Sequence, residues 1–253
     1  MTNVTFCWQN YVDSATLTKS SQNPSFSVEN LKHRWATKTW RSADNTGTLT
    51  EWVAADLGSA QAIQFFAIKN HNLSSSAVAK IQADDDPAFG SLGVDVTLTK
   101  ASGLLAYYWA SPQTYRYWRY YTVDSAPLTT YLEAGRMWLG PYFRPALNIV
   151  NNYRRPVDDP TAVMLSDGGQ VSTNQKTRFR TLSMSFEYLG PDDVEDFETM
   201  FMDRGRGREL FFTRDADLPL TTTIYCRIAS ALDIGHEGLE QYYNLGLTLE
   251  ELR

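Results

Sequence analysis

The strongest constraint on the fold is the regular alternation of short apolar stretches and turn signals over residues 1 to about 143. The turns recur every ~8–12 residues, and no stretch keeps a helical period for more than a turn or two. Strands of this length and spacing are typical of an antiparallel sandwich or barrel. The predicted strands lie at residues 52–57, 62–69, 78–83, 94–99, 104–110, 115–123 and 131–139.

A segment rich in proline, asparagine and arginine follows, with Pro141, Pro145 and Pro156 along it. Because proline restricts its own backbone and that of the preceding residue, the segment is predicted to run extended over a surface. We place the domain boundary here. One domain is predicted over residues 1–143 and a second over residues 144–253.

The second part is again rich in β-structure. Residues 178–189 alternate between apolar side chains, such as Leu182 and Phe186, and polar ones, which predicts a strand with one buried face. A short helix is predicted at residues 194–203, shortly after Pro191. Further strands are predicted at Glu209–Thr213, 222–229 and 242–249. Since strands and helices do not alternate, no parallel sheet is expected, and the chain is assigned to the mainly β class.

Charge and hydropathy exclude several classes of protein. The net charge of -6 disfavours a protein that coats nucleic acid, because such a surface must be basic. No apolar stretch approaches the ~20 residues of a membrane span, and the N-terminus lacks the basic start and apolar core of a secretion signal. We therefore expect a soluble product of the host cytoplasm, with no membrane partner. The two cysteines, Cys7 and Cys226, are expected to be reduced and buried.

Little in the sequence points to catalysis or to a resident cofactor. The three histidines have no metal-ligand neighbour at helical or strand spacing, and nucleotide-binding, serine-hydrolase and zinc-protease motifs are absent. We predict no enzyme activity, no metal and no cofactor. Asp84, Asp85 and Asp86 allow two interpretations, a calcium-binding loop or a solvated strand end whose carboxylates cap the following turn.

Residues 115–121, YRYWRYY, are the aromatic centre of a chain in which aromatic residues reach 13%. In a strand, one face carries Tyr115, Tyr117, Arg119 and Tyr121, and the other carries Arg116, Trp118 and Tyr120. One face is predicted to pack in the core. The other is either an ordinary outer face or a surface that stacks on sugars or on an interface partner.

Arginine outnumbers lysine by sixteen to seven, and it is concentrated in the linker and after the predicted helix. The candidate interface residues are Arg154, Arg155, Arg204, Arg206, Arg208 and Arg214. Their guanidinium groups can pair with carboxylates such as Asp192 and Glu195 of a neighbouring subunit. The alternatives are a solvated loop and a nucleic-acid contact, the latter in the more acidic half of the chain.

The first part resembles the discoidin, or coagulation factor 5/8 type C, branch of the galactose-binding-like β-sandwiches. The resemblance covers residues 1–143 and rests on NPSFSVENL (23–31), WRS (40–42), EWVAADLG (51–58), IKNHNL (68–73) and the strand at 115–121. It implies a jelly-roll sandwich. Within EWVAADLG, Asp56 can bond nearby backbone and Gly58 can supply the turn conformation.

In that family the ligand sits at loops on one end of the sandwich, so the resemblance implies a site of that kind, with a host surface glycan as one possible ligand. The candidate loop residues are Arg41, Asp44, Asn45, Asn70, His71 and Asn72. Trp40 and Trp52 are expected to be structural.

The second part, about residues 146–253, resembles the ring-forming β-domain of phage distal tail proteins. The resemblance rests on RTLS (180–183), the helix after Gly190-Pro191-Asp192, LFF (210–212), IYCRI (224–228) and LTLEEL (247–252). It implies a structural subunit of a six-fold ring at the tail tip or baseplate of a phage or phage-derived tail. The implied partners are copies of the same chain, tail tube, hub and fibres, in a virion assembled in the host cytoplasm.

The sequence leaves two functions open. In the first, the chain is a structural tail-tip subunit whose discoidin-like domain projects outward to hold fibres or touch host glycans. In the alternative, it is a non-catalytic carbohydrate-binding module that acts in recognition of the host surface. A third hypothesis, a depolymerase of cell-surface sugar, is disfavoured because no His and carboxylate constellation is present.

Overall fold

The computed structural model describes residues 3–101, 103–150, 153–237 and 241–252. Two compact units are present. Met1–Arg144 and Phe211–Thr223 form the first unit, and Pro145–Leu210 and Ile224–Arg253 form the second. The mainly β prediction is confirmed, and the sheets are antiparallel.

The described strands, in chain order, are β1 (Thr5–Cys7), β2 (Thr16–Lys19), β3 (Trp40–Arg41), β4 (Leu49–His71), β5 (Val78–Asp84), β6 (Val94–Leu98), β7 (Lys100–Ala101), β8 (Leu104–Asp124), β9 (Glu133–Gly140), β10 (Val157–Asp158), β11 (Ala162–Leu165), β12 (Val171–Asn174), β13 (Phe179–Leu189), β14 (Glu209–Thr213), β15 (Thr223–Ile228), β16 (Asp233–Glu237) and β17 (Tyr242–Glu251). Helices run over α1 (Pro191–Arg204) and α2 (Pro219–Thr222), with 3-10 turns at Tyr11–Asp13 and Val28–Lys32.

Two long strands, β4 and β8, organise the first unit and pair with each other along most of their length. They lie at the centre of one eight-stranded sheet, in the order β3-β9-β4-β8-β5-β6, in which β2 also pairs with β4 and β7 with β8. The first half of β4 and the second half of β8 carry β2 and β5, whereas the second half of β4 and the first half of β8 carry β9 and β7. Each long strand is therefore continuous where the sequence predicted two separate strands.

The bend of β4 lies where the ladder to β8 slips, between Asp56 and Gln61. Gly58 has a φ of +80° there, and its N–H donates to Asp56 Oδ1 at 2.8 Å. These contacts confirm the roles predicted for both residues. Arg116 donates two further hydrogen bonds, of 2.7 and 2.9 Å, to the same carboxylate and thereby lowers the pKa of Asp56.

The aromatic strand at residues 115–121 is confirmed in outline and corrected in detail. Its inner face carries the buried Trp118 and Tyr120, and its outer face carries the half-buried Tyr117, Arg119 and Tyr121. Tyr115, predicted to share the face of Tyr117, Arg119 and Tyr121, packs against the core instead. The ladder slip between Tyr117 and Tyr115 breaks the strict alternation on which that prediction depended.

Phe211–Thr223 completes the core of the first unit, although the sequence analysis placed these residues in the second part. Phe211 packs with ring centroids 5.4 Å from both Phe65 and Trp138. β14 also pairs with β1, in the register Phe6 to Phe212. Burial of two adjacent phenylalanines in an aromatic core outweighs their distance along the chain.

In the second unit, β17 pairs with β13, β15 and β16, and β10 pairs with β13. The helix α1 buries Val194, Phe197 and Met200, and Phe197 lies 5.0 Å from the Phe186 ring on β13. The helix begins at Pro191 and is followed by Gly205, which has a φ of +52°. The predicted helix is thus confirmed and starts three residues earlier.

A hairpin formed by β11 and β12 was not predicted. Leu165 pairs with Val171, and all eight residues of the two strands are exposed. The strand alternation and register place Val163, Leu165 and Val171 on one face, each more than 60% exposed. This face is therefore an exposed apolar surface.

Two smaller predictions can also be compared with the structure. Cys7 and Cys226 are both buried, as predicted. None of the helices within the described residues is long and apolar enough to span a membrane.

Candidate functional site

The six predicted ligand residues all lie in the first unit, and four of them contact one segment, residues 129–133. Arg41, Asp44, Asn45 and Asn72 make these contacts. The sequence did not single out residues 129–133, because the segment has no motif and lies some ninety positions from Arg41. The structure thus brings most of the predicted loops together around an unforeseen partner.

Arg41 is the centre of a group that we call the Arg41 cluster, formed by Phe26, Arg41, Tyr131 and Glu133. Arg41 Nε donates to Glu133 Oε2 at 2.6 Å. Its guanidinium carbon lies over two rings, 3.8 Å from the Phe26 centroid and 4.7 Å from that of Tyr131. Stacking and ion pairing therefore hold the guanidinium in one orientation while 29% of the side chain stays exposed.

The backbone explains why these four residues meet. β3 pairs with β9 so that Arg41 lies opposite Glu133. The turn that carries Phe26 is bonded to the same strand, because Asn23 N–H donates to Arg41 O at 2.9 Å and Arg41 N–H donates to Phe26 O at 3.3 Å. The cluster is built on a strand pair and a hydrogen-bonded turn, which is the rigid support that a binding site requires.

Asp44 and Asn45 flank the cluster at the surface. Thr130 Oγ1 donates to Asp44 Oδ1 at 2.8 Å, and Asn45 N–H donates to Thr130 O at 2.7 Å. Asp44, Asn45 and Thr130 are all exposed. They extend the cluster with further hydrogen-bond donors and acceptors.

Asn72 positions the segment rather than facing solvent with free polar atoms. Its Nδ2 donates to Thr129 Oγ1 at 2.8 Å and to Tyr131 O at 2.9 Å, and its Oδ1 accepts the Glu133 N–H at 2.7 Å. The side chain thereby holds both Tyr131 and Glu133 in place. Its role in this geometry is to position the Arg41 cluster.

Asn70 and His71 bond to the backbone of other segments. Asn70 has a φ of +72° and donates through Nδ2 to Ala36 O at 3.1 Å. His71 Nε2 lies 3.0 Å from Ala101 O, and Leu73 N–H donates to His71 Nδ1 at 3.3 Å, which makes Nε2 the protonated nitrogen. Burial lowers the pKa of His71, so the imidazole is neutral and structural here.

Trp35 is an exposed aromatic residue that the sequence analysis missed. Its side chain is 58% exposed, and it lies one residue from Ala36, the acceptor for Asn70. His33 packs 5.0 Å from its ring. The signal that could have revealed it is a tryptophan flanked by basic and polar residues, in the sequence KHRWATK (32–38). Trp40, by contrast, is buried and donates to Ser21 O at 3.2 Å, in line with its predicted structural role.

The three consecutive carboxylates at the end of β5, Asp84 to Asp86, accept hydrogen bonds from backbone amides. Asp84 accepts from Ser91 N–H at 3.0 Å and from Asp86 N–H at 3.2 Å, and these bonds lower the pKa of Asp84. Asp86 accepts from Ala88 N–H at 2.9 Å. This is the capping arrangement that the second interpretation described. Across the described part of the chain, no group of three His, Cys, Asp or Glu side chains is placed to hold a metal ion.

The six candidate interface arginines are distributed over both units. Arg214 is an exposed residue of the first unit, and the other five belong to the second. Arg206 donates to Ala229 O through Nε and Nη2, at 3.1 and 2.7 Å, and Arg208 lies 3.5 Å from Asp203. Arg204 is half-buried with its Nε 2.8 Å from Asp203, whereas Arg154 and Arg155 are exposed. Their role at an interface stays a prediction.

A separate cavity of about 410 Å³ lies in the first unit between the sheet and the segment around α2. Its walls include Tyr107, Thr97 and Leu218. The volume suits a small ligand, but its largely apolar walls include no arginine and only one carboxylate, that of Asp217. The Arg41 cluster therefore offers the more selective chemistry.

No protein-family model matches the chain, and no curated protein sequence matches it. Several solved structures are similar over about half of it. Chitosan-binding module 1 of a chitosanase/glucanase from Paenibacillus sp. IK-5 is 20% identical and covers 53% of this chain and 99% of its own, with a TM-score of 0.43. The family 32 carbohydrate-binding module of NanJ from C. perfringens, in complex with galactose, is 12% identical over 55% of this chain and 99% of its own, with a TM-score of 0.41.

The Streptococcus pneumoniae fucose-binding module SpX-3 is 11% identical over 53% of this chain and 99% of its own, with a TM-score of 0.43. These neighbours are of the galactose-binding-like jelly-roll type that the resemblance named for the first part. At such identities and TM-scores, the likeness says nothing about what this chain binds.

Proposed function

We propose that the first unit binds a neutral carbohydrate, without catalysing a reaction, through the Arg41 cluster. The observation that carries the proposal is the fixed Arg41 guanidinium, which lies over Phe26 and Tyr131 and pairs with Glu133 at an exposed edge. Arg41 uses Nε for its hydrogen bond to Glu133, and no described residue accepts from its terminal nitrogens. Those nitrogens are available to a ligand.

The chemistry of the cluster suits a sugar ring. Guanidinium nitrogens donate to hydroxyl oxygens, and the carboxylate of Glu133 accepts from hydroxyl groups on the same ring. The partly exposed rings of Phe26 and Tyr131 offer apolar faces for the C–H side of a pyranose. Because the charges of Arg41 and Glu133 cancel, the cluster favours a neutral sugar over an acidic one.

The purified chain is first screened on a glycan array. It is then titrated with the neutral glycans to which it binds there. The Arg41→Gln variant should lose at least about tenfold in affinity, since a hydrogen-bonded charged donor is removed. Arg155→Gln, an exposed arginine of the second unit, serves as the matched control and should bind like the wild type. The proposal is contradicted if the folded chain binds no glycan on the array, or if Arg41→Gln binds the glycan as tightly as the wild type does.

A second candidate function is favoured by the hairpin of β11 and β12. We propose that the second unit assembles with copies of itself into a ring, as a structural subunit of a phage or phage-derived tail tip located in the virion. The apolar face of Val163, Leu165 and Val171 is exposed in the isolated chain, and a two-stranded hairpin gains stability when such a face is covered. The same unit carries both the acidic α1 and the arginines after it, which are complementary charges for contacts between copies.

Native mass spectrometry and particle imaging test the ring. The expected result is a closed oligomer, six-fold by the resemblance, that dissociates when Val163, Leu165 and Val171 are all replaced by Thr. A chain that stays monomeric at high concentration, with its fold intact, argues against self-assembly. The first function does not depend on this result, because it is tested on the first unit's own side chains.

A further inference from the structure

A second charged feature of the first unit lies on a sheet face rather than at the loops. We call it the Arg119 face, defined by Trp52, Phe89, Tyr117, Arg119 and Tyr121. The β4–β8 register places Trp52 opposite Tyr121. On β8, alternation directs Tyr117, Arg119 and Tyr121 away from the buried Trp118 and Tyr120. All five defining residues are half-buried, so the face is open to solvent.

The guanidinium of Arg119 is fixed on this face. Its Nε donates to Gln82 Oε1 at 2.9 Å. Its central carbon lies 4.2 Å from the Phe89 ring centroid and 5.6 Å from that of Tyr121. Gln82 is itself buried and held by Asp95, to which its Nε2 donates at 3.0 Å. Arg119 is thus an oriented group with little rotational freedom left to lose on binding.

Among the described residues, Arg119 forms no salt bridge, and the carboxylate of Asp95 attracts it only at longer range. Asp95 itself pairs with Lys80 at 2.9 Å. The terminal nitrogens of Arg119 donate to no described residue. Partial burial lowers the pKa of Arg119, and the attraction of Tyr121 and Asp95 only partly offsets this effect. The local charge of Lys80, Asp95 and Arg119 together is positive and suits an anion.

The backbone of the loop after β5 is strained at Phe89, the residue whose ring contacts the Arg119 guanidinium. Phe89 has a φ of +54°, a conformation that bulky side chains rarely adopt, and its N–H donates to Asp86 O at 3.0 Å. Such strain persists only when surrounding contacts impose it. Here it presents an aromatic ring to the guanidinium.

We propose that Arg119 binds the carboxylate of an acidic sugar, a uronic acid residue of a glycan. The planar fork of terminal nitrogens matches a carboxylate in two parallel hydrogen bonds. Trp52 and Tyr121 lie opposite each other on the same face, and their rings offer a stacking surface for the adjoining pyranose. This site differs from the Arg41 cluster in both position and charge, so it stands independently of the function proposed there.

The experiment titrates the full chain with tetragalacturonate by calorimetry, with its fully methyl-esterified form as the neutral counterpart. Wild type should prefer the acid form by at least about tenfold, and Arg119→Gln should abolish that preference. Arg119→Lys, which keeps the charge but not the fork, should retain only part of it. Arg155→Gln is the matched control and should behave as wild type, and thermal unfolding checks that each variant is folded.

The inference is overturned if the folded chain does not bind tetragalacturonate, if wild type and Arg119→Gln bind it equally, or if wild type binds the methyl ester with equal affinity. Polyglutamate is titrated in parallel, and binding to it in place of tetragalacturonate points to an acidic protein partner and also overturns the proposal. Titration of Arg41→Gln with both the acidic and the neutral glycan separates failure of this site from failure of the Arg41 cluster.

Discussion

At the scale of single residues, the same side-chain type serves different purposes according to its partners. Arg41 and Arg119 both stack on aromatic rings, yet Arg41 forms a salt bridge with Glu133 whereas Arg119 forms no salt bridge with any described residue. That difference separates a neutral site from an anionic one. Arg206, whose guanidinium binds Ala229 O, instead stabilises a loop.

His71 gives a prediction for the pH dependence of stability. Burial lowers its folded-state pKa below the ordinary 6.5, so the unfolded chain binds a proton more readily. Stability is therefore complete above about pH 6.5 and is lost as the pH falls from there through the folded-state pKa. In the His71→Gln variant, the free energy of unfolding should therefore depend less on pH between pH 7 and 5 than in the wild type. Chemical denaturation measures this dependence.

The control for this prediction is His236→Gln, because the His236 side chain is exposed. That variant should keep the wild-type dependence of stability on pH. If His71→Gln retains the full slope as well, then other groups cause the acid destabilisation.

At the scale of elements, one buried carboxylate, that of Asp124, joins two loops of the first unit by hydrogen bonds. Asp124, at the end of β8, accepts from Ser74 N–H at 2.9 Å, from the Ser74 hydroxyl at 2.6 Å and from Ala126 N–H at 3.2 Å. It joins the loop after β4 to the turn that leads to residues 129–133. The geometry of the candidate site therefore depends on this residue.

Asp124→Ala should destabilise the chain by about 2–3 kcal/mol, because it leaves buried donors without an acceptor. The variant should also bind the glycan of the Arg41 cluster more weakly, since the loops lose their common anchor. Denaturant unfolding and glycan titration measure the two effects. Asp167→Ala, at an exposed position, is the control and should change stability by less than about 0.5 kcal/mol. Equal stability of the two variants would exclude the anchoring role.

The elements also show where local signals were misleading. Ser111-Pro112 predicts a break, yet β8 continues through it. The ladder between β4 and β8 slips there, from Phe65–Tyr108 to Ile63–Gln113, so Pro112 lies in a stretch without a partner on β4. A proline is tolerated where no ladder hydrogen bond is required.

At the scale of the whole molecule, the first unit is discontinuous in sequence. Its core includes Phe211, and Phe212 lies 5.3 Å from the ring of Phe6. Tyr108 is half-buried with its hydroxyl hydrogen-bonded to Thr213, and burial of that hydroxyl raises the pKa of Tyr108 well above the ordinary value. The segment Phe211–Thr223 is therefore part of the hydrophobic core of this unit.

A fragment that ends at residue 144 should consequently be less stable than the first unit of the full chain, by at least about 3 kcal/mol, because it lacks both phenylalanines. Denaturant unfolding, followed by the fluorescence of the tryptophans, measures this difference. The full chain with Phe211→Ala should lose stability in the same direction, which separates the missing side chain from the effect of truncation. A fragment as stable as the full chain would show that the segment is dispensable.

The sequence by itself determined the mainly β class, the approximate strands, the Asp56–Gly58 turn and the end of α1, because alternation, proline and glycine act on neighbouring residues. Only the tertiary structure decided that predicted strands fuse into β4 and β8, that Phe211–Thr223 joins the first unit, and that Arg41 meets Glu133. Those outcomes depend on which distant segments pair and in what register. Burial of apolar surface and satisfaction of hydrogen bonds across the whole unit select that pairing, and no local pattern encodes it.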